Sequence, residues 1–309
     1  MRVFVAGATG AIGRRLVPML REAGHEVTGM TRSEDRADAL RAAGAEAVVC
    51  DALDAGALRS AMAAAAPEAV IHQLTDLPQD FGMRYGYGET SRLRTEGTRN
   101  LLDAAREAGA RRFVAQSIAF IYHPANGPVN DEEARTLAGA PGKFGEAVDA
   151  VLEMERTVTG AEGLEGLALR YGFFYGPGTW YARETKMAKT IERRWFPIVG
   201  DGEGVFSYIH IDDAASATVA AVERGAPGVY NVVDDEPAPT REWLPALAEA
   251  LGAKPPRRVP LWLGKLVAGG NAEMAATSMR GASNARAKRE LGWTPRYASW
   301  RQGFREGLG

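Results

Sequence analysis

The stretch "VFVAGATGAIGRRL", residues 3–16, constrains this chain more than any other: a strand-length apolar run passes into a helix-length segment through glycines at 7, 10 and 13. Each glycine has its own physical task. Gly7 permits a sharp turn, Gly10 lets the backbone approach an anion, and Gly13 lets the helix sit close against the strand. The N-terminal amides of that helix, with the positive end of its dipole, favour a phosphate. The spacing alone is a weak signal, and it becomes informative because a strand precedes it and a helix follows. Thr9, Ala11 and Ile12 complete the loop and are expected to line the same anion.

The rest of the chain keeps the rhythm of that opening. "HEVTGM", "AEAVV", "EAVIHQL", "RRFVAQS" and "EGLALRYG" are short apolar runs, and helix-length amphipathic stretches follow at 34–43, 54–65, 91–108 and 144–158. Alternating strands and helices predict an α/β, Rossmann-type doubly wound parallel sheet. After Gly176 the rhythm breaks into segments punctuated by proline and glycine, with helices predicted at 183–194, 212–223, 240–251 and 284–291. The expected organisation is a dinucleotide-binding domain over 1–175, with a return segment at about 205–233, and a smaller C-terminal substrate lobe from 176–204 and 234–309.

Composition excludes several classes. Net charge is −2 with acids and bases interspersed, which leaves no like-charged block for a nucleic acid. No apolar run approaches the roughly 20 residues of a membrane span, and no export signal opens the chain, so a cytoplasmic protein without a membrane partner is expected. The single cysteine, Cys50, can form neither an internal disulfide nor a thiolate zinc site, and no metal is expected.

The second strand ends at Thr31, Arg32 and Ser33, with Arg36 one helical turn on. A dinucleotide fold reads the adenosine ribose at this point. An acid would hold the 2′-hydroxyl and repel a 2′-phosphate; arginines instead offer a charge-assisted bond of roughly 1.5–3 kcal/mol. NADP is therefore expected in preference to NAD.

With "GATGAIG", "CDALD", "VIHQLT", "EGTRNLLDAA", "RRFVAQSIAFIY", "LRYGFFYGPGT", "FSYIHIDDAA", "GVYNVVDDEP" and "AKRELGWTPRY" in order along it, the chain resembles the extended short-chain dehydrogenase/reductases, the NAD-dependent epimerase/dehydratase family. The resemblance implies that Asp51 and Ala52 meet the adenine, and that Gln73, Leu74, Thr75, Ser117, Tyr171 and Phe173 line the rest of the cofactor. It also allows a homodimer. In that family a Ser or Thr, a Tyr-x-x-x-Lys pair and an Asn handle the proton that accompanies hydride transfer. Aligned on Tyr122 and Glu155, those positions hold Ile118, Ala147, Val151 and Arg94, and no Tyr-x-x-x-Lys occurs anywhere in the chain.

The candidates left for proton chemistry are Tyr122, Ser117 and Arg94. Tyr122 without a neighbouring lysine is a weak acid, and packing is its other reading. Arg94 either orients a substrate oxygen or points to solvent. His72 and His210 read as packing residues, and Asp212 and Asp213 as caps of the helix they open. Nucleotide-sugar enzymes of the family carry an arginine where Phe206 stands, so Phe206, Phe173, Phe174, Tyr175, Trp180 and Tyr181 suggest an apolar or aromatic small-molecule substrate rather than a nucleotide sugar; interlobe core is the alternative.

The functional expectation is an NADP(H)-dependent oxidoreductase acting on a small hydrophobic carbonyl or conjugated substrate. A non-redox isomerase, lyase or cyclase that keeps NADP as scaffold, and an NADP-sensing protein, remain open alternatives.

Overall fold

The computed structural model describes residues 1–77, 87–268 and 274–309. Seven strands, Arg2–Ala6 (β1), Glu26–Thr31 (β2), Glu46–Val49 (β3), Ala69–His72 (β4), Arg112–Ile118 (β5), Glu165–Tyr171 (β6) and Gly228–Val232 (β7), make one sheet in the order β7-β6-β5-β4-β1-β2-β3. Every neighbouring pair in it is parallel. The chain begins in the middle, runs outward through β2 and β3, then returns to β4 and proceeds the other way. That reversal leaves a crevice at the carboxyl ends of β1 and β4.

Period-two alternation explains why the strands are apolar on both sides. Val3, Val5, Ile71, Val114, Leu167 and Leu169 face one core, where Leu16, Val17 and Leu20 of the helix Gly13–Glu22 (α1) and the alanines of Ile211–Glu223 cover them. Phe4, Ala6, Val70, Phe113 and Ala115 face the other, under Leu58, Met62, Leu101 and Ala105. A third, aromatic core of Tyr175, Tyr208, Trp243, Trp300 and Phe304 lies among the C-terminal segments. Short strand pairs tie it together, among them Tyr208–His210 beside Phe173–Tyr175 and Ile198–Val199 beside Arg258–Val259.

The predicted helices appear with ends shifted by up to three residues, as with Lys186–Glu192, which starts where the Thr185 side chain accepts the Ala188 amide. Leu261–Ala268 and Trp300–Glu306 were not anticipated. The first is apolar nearly all round and shows no amphipathic period, and the second is interrupted by Gly303. The segment Gly88–Glu107 is helical but contains a π-helical turn over Leu93–Gly97, the turn that carries Arg94. Among the described residues no helix is long and apolar enough to cross a membrane, and no cluster of His, Cys, Asp and Glu could hold a metal ion.

Candidate functional site

The glycine loop lies at the crevice, and its three glycines answer to different neighbours. Gly7 has φ +92°, and a Cβ there would stand 2.8 Å from the Gln73 carbonyl oxygen. A Cβ on Gly13 would come within 2.4 Å of the Gly7 carbonyl oxygen and 2.5 Å of the Ala8 backbone. Gly10 is different: a Cβ there would meet only the Gly7 oxygen, at 3.3 Å. Internal packing therefore demands the first and third glycines but hardly the second, whose open face is the side an anion would approach. No side chain caps α1 at Ile12; the Arg14 and Arg15 amides turn back to the carbonyls of Gly10 and Ile12 at 3.1 and 2.9 Å, so the amides that can serve an anion are those of Ala11, Ile12 and Gly13. The Ile12 side chain is in the core and Thr9 and Ala11 are half-buried, which leaves the loop backbone as the binding element. The cradle fits the pyrophosphate of a dinucleotide.

At the end of β2 Thr31 is buried and its Oγ1 accepts the Ser33 amide at 3.4 Å. Arg32 and Arg36 are exposed. Arg32 Nη2 lies 3.6 Å from Asp76 Oδ1 on the loop after β4. Asp51 accepts the Leu53 amide at 3.0 Å, and the buried Ala52 has its carbonyl held by Asn100 Nδ2 at 2.9 Å.

Beyond β4, Gln73 is buried and donates from Nε2 to the Tyr171 hydroxyl at 3.2 Å, while its Oε1 has no hydrogen-bond partner. Leu74 and Thr75 continue that edge, half-buried. The Tyr171 hydroxyl shares a 2.6 Å bond with Thr218 Oγ1, and burial pushes its pKa up to about 12. Phe173 stacks on Phe120 with ring centroids 4.4 Å apart. Tyr171 is thus a core residue of β6, whereas Phe173 keeps part of its ring accessible.

The three proton candidates do not converge. Ser117 is wholly buried and donates to Glu155 Oε1 at 2.5 Å. Glu155 also takes two bonds from Arg170, from Nε at 2.8 Å and Nη2 at 2.7 Å. Arg170 Nη1 in turn donates to the Tyr122 hydroxyl at 3.2 Å, and that hydroxyl donates to Asn231 Oδ1 at 2.6 Å. Tyr122 is 2% exposed, and burial, only partly offset by Arg170 and Asn231, pushes its pKa up to about 12. Burial and a raised pKa both oppose proton release to a substrate. Arg94 lies buried in its π-helical turn rather than pointing to solvent. It adds to the effect of burial in lowering the pKa of His72 to about 4. His72 Nδ1 accepts the Leu74 amide at 3.2 Å, which leaves the ring proton on Nε2, facing Thr98 Oγ1 at 3.1 Å.

Where the resemblance puts the relay, the side chains are hydrocarbon. Val151 has no exposed surface and packs in one apolar cluster with Val148, Leu152 and Ile121, against which Ile118, Leu137 and Phe144 lean. Ala147, one turn earlier on the helix Gly142–Thr159, is 3% exposed.

The aromatic residues divide between core and wall. Tyr175 and Tyr181 are buried in the aromatic core, and Phe206 joins them, 4.9 Å from Phe173 and 5.2 Å from Trp243 by ring centroids. Phe120, Phe173, Phe174 and Trp180 remain partly accessible. The helix Ile211–Glu223 is capped not by its acids but by His210, whose Nδ1 accepts the Asp212 amide at 3.2 Å. Asp212 pairs with Arg15 at 3.2 Å, and Asp213 accepts the amides of Arg296 and Tyr297 at 2.7 and 3.0 Å, tying down the C-terminal segment.

The buried Ser117–Glu155–Arg170–Tyr122–Asn231 network was missed by sequence reasoning. Its signal was present: Arg170 is a charge inside an otherwise apolar run, Glu155 falls on the helix face of Val148, Val151, Leu152 and Val158, and a charge that must be buried must be paired.

Known proteins place these features in context. The model of the NAD dependent epimerase/dehydratase family matches residues 3–232. A 3-diazoavenalumate denitrifying reductase from Streptomyces sp is 49% identical, over 98% of this chain and 99% of its own. A 2-alkyl-3-oxoalkanoate reductase from Stenotrophomonas maltophilia is 29% identical, over 82% of this chain and 76% of its own. The fold is also that of the UDP-glucose 4-epimerase of Thermus thermophilus, solved in complex with NAD, at a TM-score of 0.76, 24% identity, and coverage of 100% of this chain and 98% of that one.

Proposed function

The chain belongs to the NAD dependent epimerase/dehydratase family and is a nucleotide-binding oxidoreductase, and from that premise we propose that it is an NADP(H)-dependent reductase that replaces the diazonium group of a small aromatic substrate by hydrogen. The observation that carries this reading is the pairing of an open phosphate cradle at Gly10 with a hydrocarbon cluster at Ile118 and Val151. Reduction of a carbonyl makes an alkoxide, a strong base that needs a proton from a positioned acid. Replacing a diazonium group needs none. The C–N electron pair leaves as dinitrogen, a hydride brings the pair of the new C–H bond, and no proton enters on either side. The name of the 49% identical relative, a denitrifying reductase of a diazo compound, supports the same chemistry.

When bound, a reduced nicotinamide supplies the hydride. The residues of the chain position it and shape the site. Backbone amides of Ala11, Ile12 and Gly13 would hold the pyrophosphate, and Arg32 and Arg36 would take the 2′-phosphate. Ile118, partly accessible and backed by the buried Val148 and Val151, offers hydrocarbon in place of a proton donor and would keep water from a group that water hydrolyses. Phe120, Phe173 and Trp180 offer ring faces to an aromatic substrate.

The experiment offers the purified chain NADPH with arenediazonium salts and, in parallel, a panel of ketones and enones. Cofactor oxidation matched by dinitrogen release, with deuterium from 4-deuterated NADPH appearing on the arene carbon, is the expected result. Turnover of ketones alone would establish carbonyl reduction instead, the reading that the oxoalkanoate reductase favours. Conversion with NADP+ and NADPH equally well would make the chemistry non-redox.

A further inference from the structure

The salt bridge between Arg32 and Asp76 joins two loops that do not follow neighbouring strands. Arg32 follows β2 and Asp76 lies four residues beyond β4, and β1 runs between those strands. Adjacent strands stand about 4.8 Å apart, so the two anchor points are separated by roughly 10 Å. Through that gap emerges the glycine loop Gly7–Gly13. The Arg32 side chain spans the gap to bring Nη2 within 3.6 Å of Asp76 Oδ1. Asp76 is itself held in place, since its amide donates to Thr90 Oγ1 at 3.1 Å at the start of the next helix.

The two side chains are 61% and 50% exposed. An ion pair so wet contributes little to folding, and opening it costs little. Its location is more informative than its strength, because it spans the entrance to the phosphate cradle at the point where the ribose selector sits.

We infer that this pair is a latch over the dinucleotide crevice and that Asp76 is a specificity-determining residue. The inference rests on the reading of Arg32 as the 2′-phosphate ligand. Arg32 has two competing partners, the Asp76 carboxylate when the crevice is closed and the 2′-phosphate when NADP(H) is bound. The phosphate carries close to two negative charges against one on the carboxylate, and it takes the guanidinium in an exchange that keeps Arg32 paired throughout. NADH brings no anion to this point, so it leaves Arg32 with Asp76 and gains nothing. Once displaced, the Asp76 carboxylate faces a dianion and repels it. Asp76 therefore restrains the affinity for NADPH while leaving that for NADH nearly untouched. Arg36, exposed in the first turn of the following helix, supplies a second cation near this end of the crevice.

The test is a fluorescence titration of NADPH and NADH against the wild type, Asp76→Asn, Arg32→Gln and the double variant, at low and high salt, with thermal melts as the fold check. Asp76→Asn is expected to tighten NADPH by about three- to tenfold and to change NADH by less than about twofold. The gain should shrink at high salt and be much smaller in the Arg32→Gln background. An unchanged NADPH affinity in Asp76→Asn, an equal tightening of both cofactors, or the same gain with and without Arg32 would overturn the latch while Arg32→Gln still weakens NADPH. If instead Arg32→Gln leaves NADPH affinity as it was, the assignment of the 2′-phosphate site is what fails, and the latch falls with it.

Discussion

Replacing Gly10 by alanine separates binding from folding, because of the three loop glycines only Gly10 has almost nothing behind it. The added methyl meets one atom, the Gly7 carbonyl oxygen at 3.3 Å, and a shift of a few tenths of an ångström relieves the contact. The backbone of Gly10 is not in the left-handed region, so alanine brings no conformational strain and restricts the unfolded chain slightly. The folded state should change by less than about 1 kcal/mol. A pyrophosphate, however, approaches this face to within hydrogen-bonding distance of the loop amides, and a methyl there pushes it outward. Loss of one or two charge-assisted bonds at roughly 1.5–3 kcal/mol each lowers affinity by about tenfold to several hundredfold. Gly13→Ala is the control, since its methyl falls 2.4–2.5 Å from the backbone of Gly7 and Ala8, where neither helix nor strand can yield. Overpacking of that kind costs about 1–3 kcal/mol and should show as a lower melting temperature. Thermal melts and NADPH titration of both variants decide the matter. A Gly10→Ala protein that binds NADPH as tightly as the wild type, or one destabilised as much as Gly13→Ala, would refute the reasoning.

Arg32→Asp should invert cofactor preference toward NADH, measured as the ratio of the two dissociation constants, because attraction at the 2′-phosphate becomes repulsion. Glu155→Gln leaves the buried Arg170 guanidinium without its carboxylate and should cost about 3–5 kcal/mol in urea unfolding, a result inconsistent with a solvated pair. Tyr122→Phe removes the hydroxyl between Asn231 and Arg170 and should cost about 1–3 kcal/mol of stability while leaving kcat for a diazonium substrate within about twofold; a large drop in kcat at unchanged stability would restore Tyr122 as the acid. His72 has a pKa near 4 in the folded chain against about 6.5 unfolded, so as the pH falls from about 6.5 toward 4 only the unfolded chain takes up the proton. Stability should fall by up to about 3 kcal/mol across that window, and His72→Gln should flatten the pH dependence in urea unfolding.

Local rules made the first half of the molecule legible. The glycine loop, the strand rhythm and the arginines after β2 depend on residues close together in sequence, where period and turn chemistry act. The missing relay was legible for another reason, since an absent Tyr-x-x-x-Lys is visible in any order of folding. How the residues at those positions pack was not: Ile118, Leu137, Phe144 and Val151 meet only after the sheet has formed. The same limit hid the ion pairs. Arg32 and Asp76 follow different strands, Tyr122 and Asn231 are 109 residues apart, and no local pattern joins them. Leu261–Ala268 escaped because a helix without a polar face has no period to detect.

The hydrocarbon at the positions where the family resemblance puts a relay also resists single substitutions. Val151 has no exposed surface, so a lysine there would arrive as an unsolvated cation among aliphatic side chains, without a tyrosine beside it to use its charge. A tyrosine at Ala147 would have to open space in a helix face that is 3% exposed, and alone would gain no acidity. Neither reversion helps without the other, and each by itself endangers the fold. A variant of this chain built to reduce ketones through a phenol would need both residues together, with the bulk of Ile118 or Leu152 removed at the same step. On the proposed reading the aromatic wall can be changed one residue at a time, whereas a phenol and its ammonium partner can be installed only as a pair.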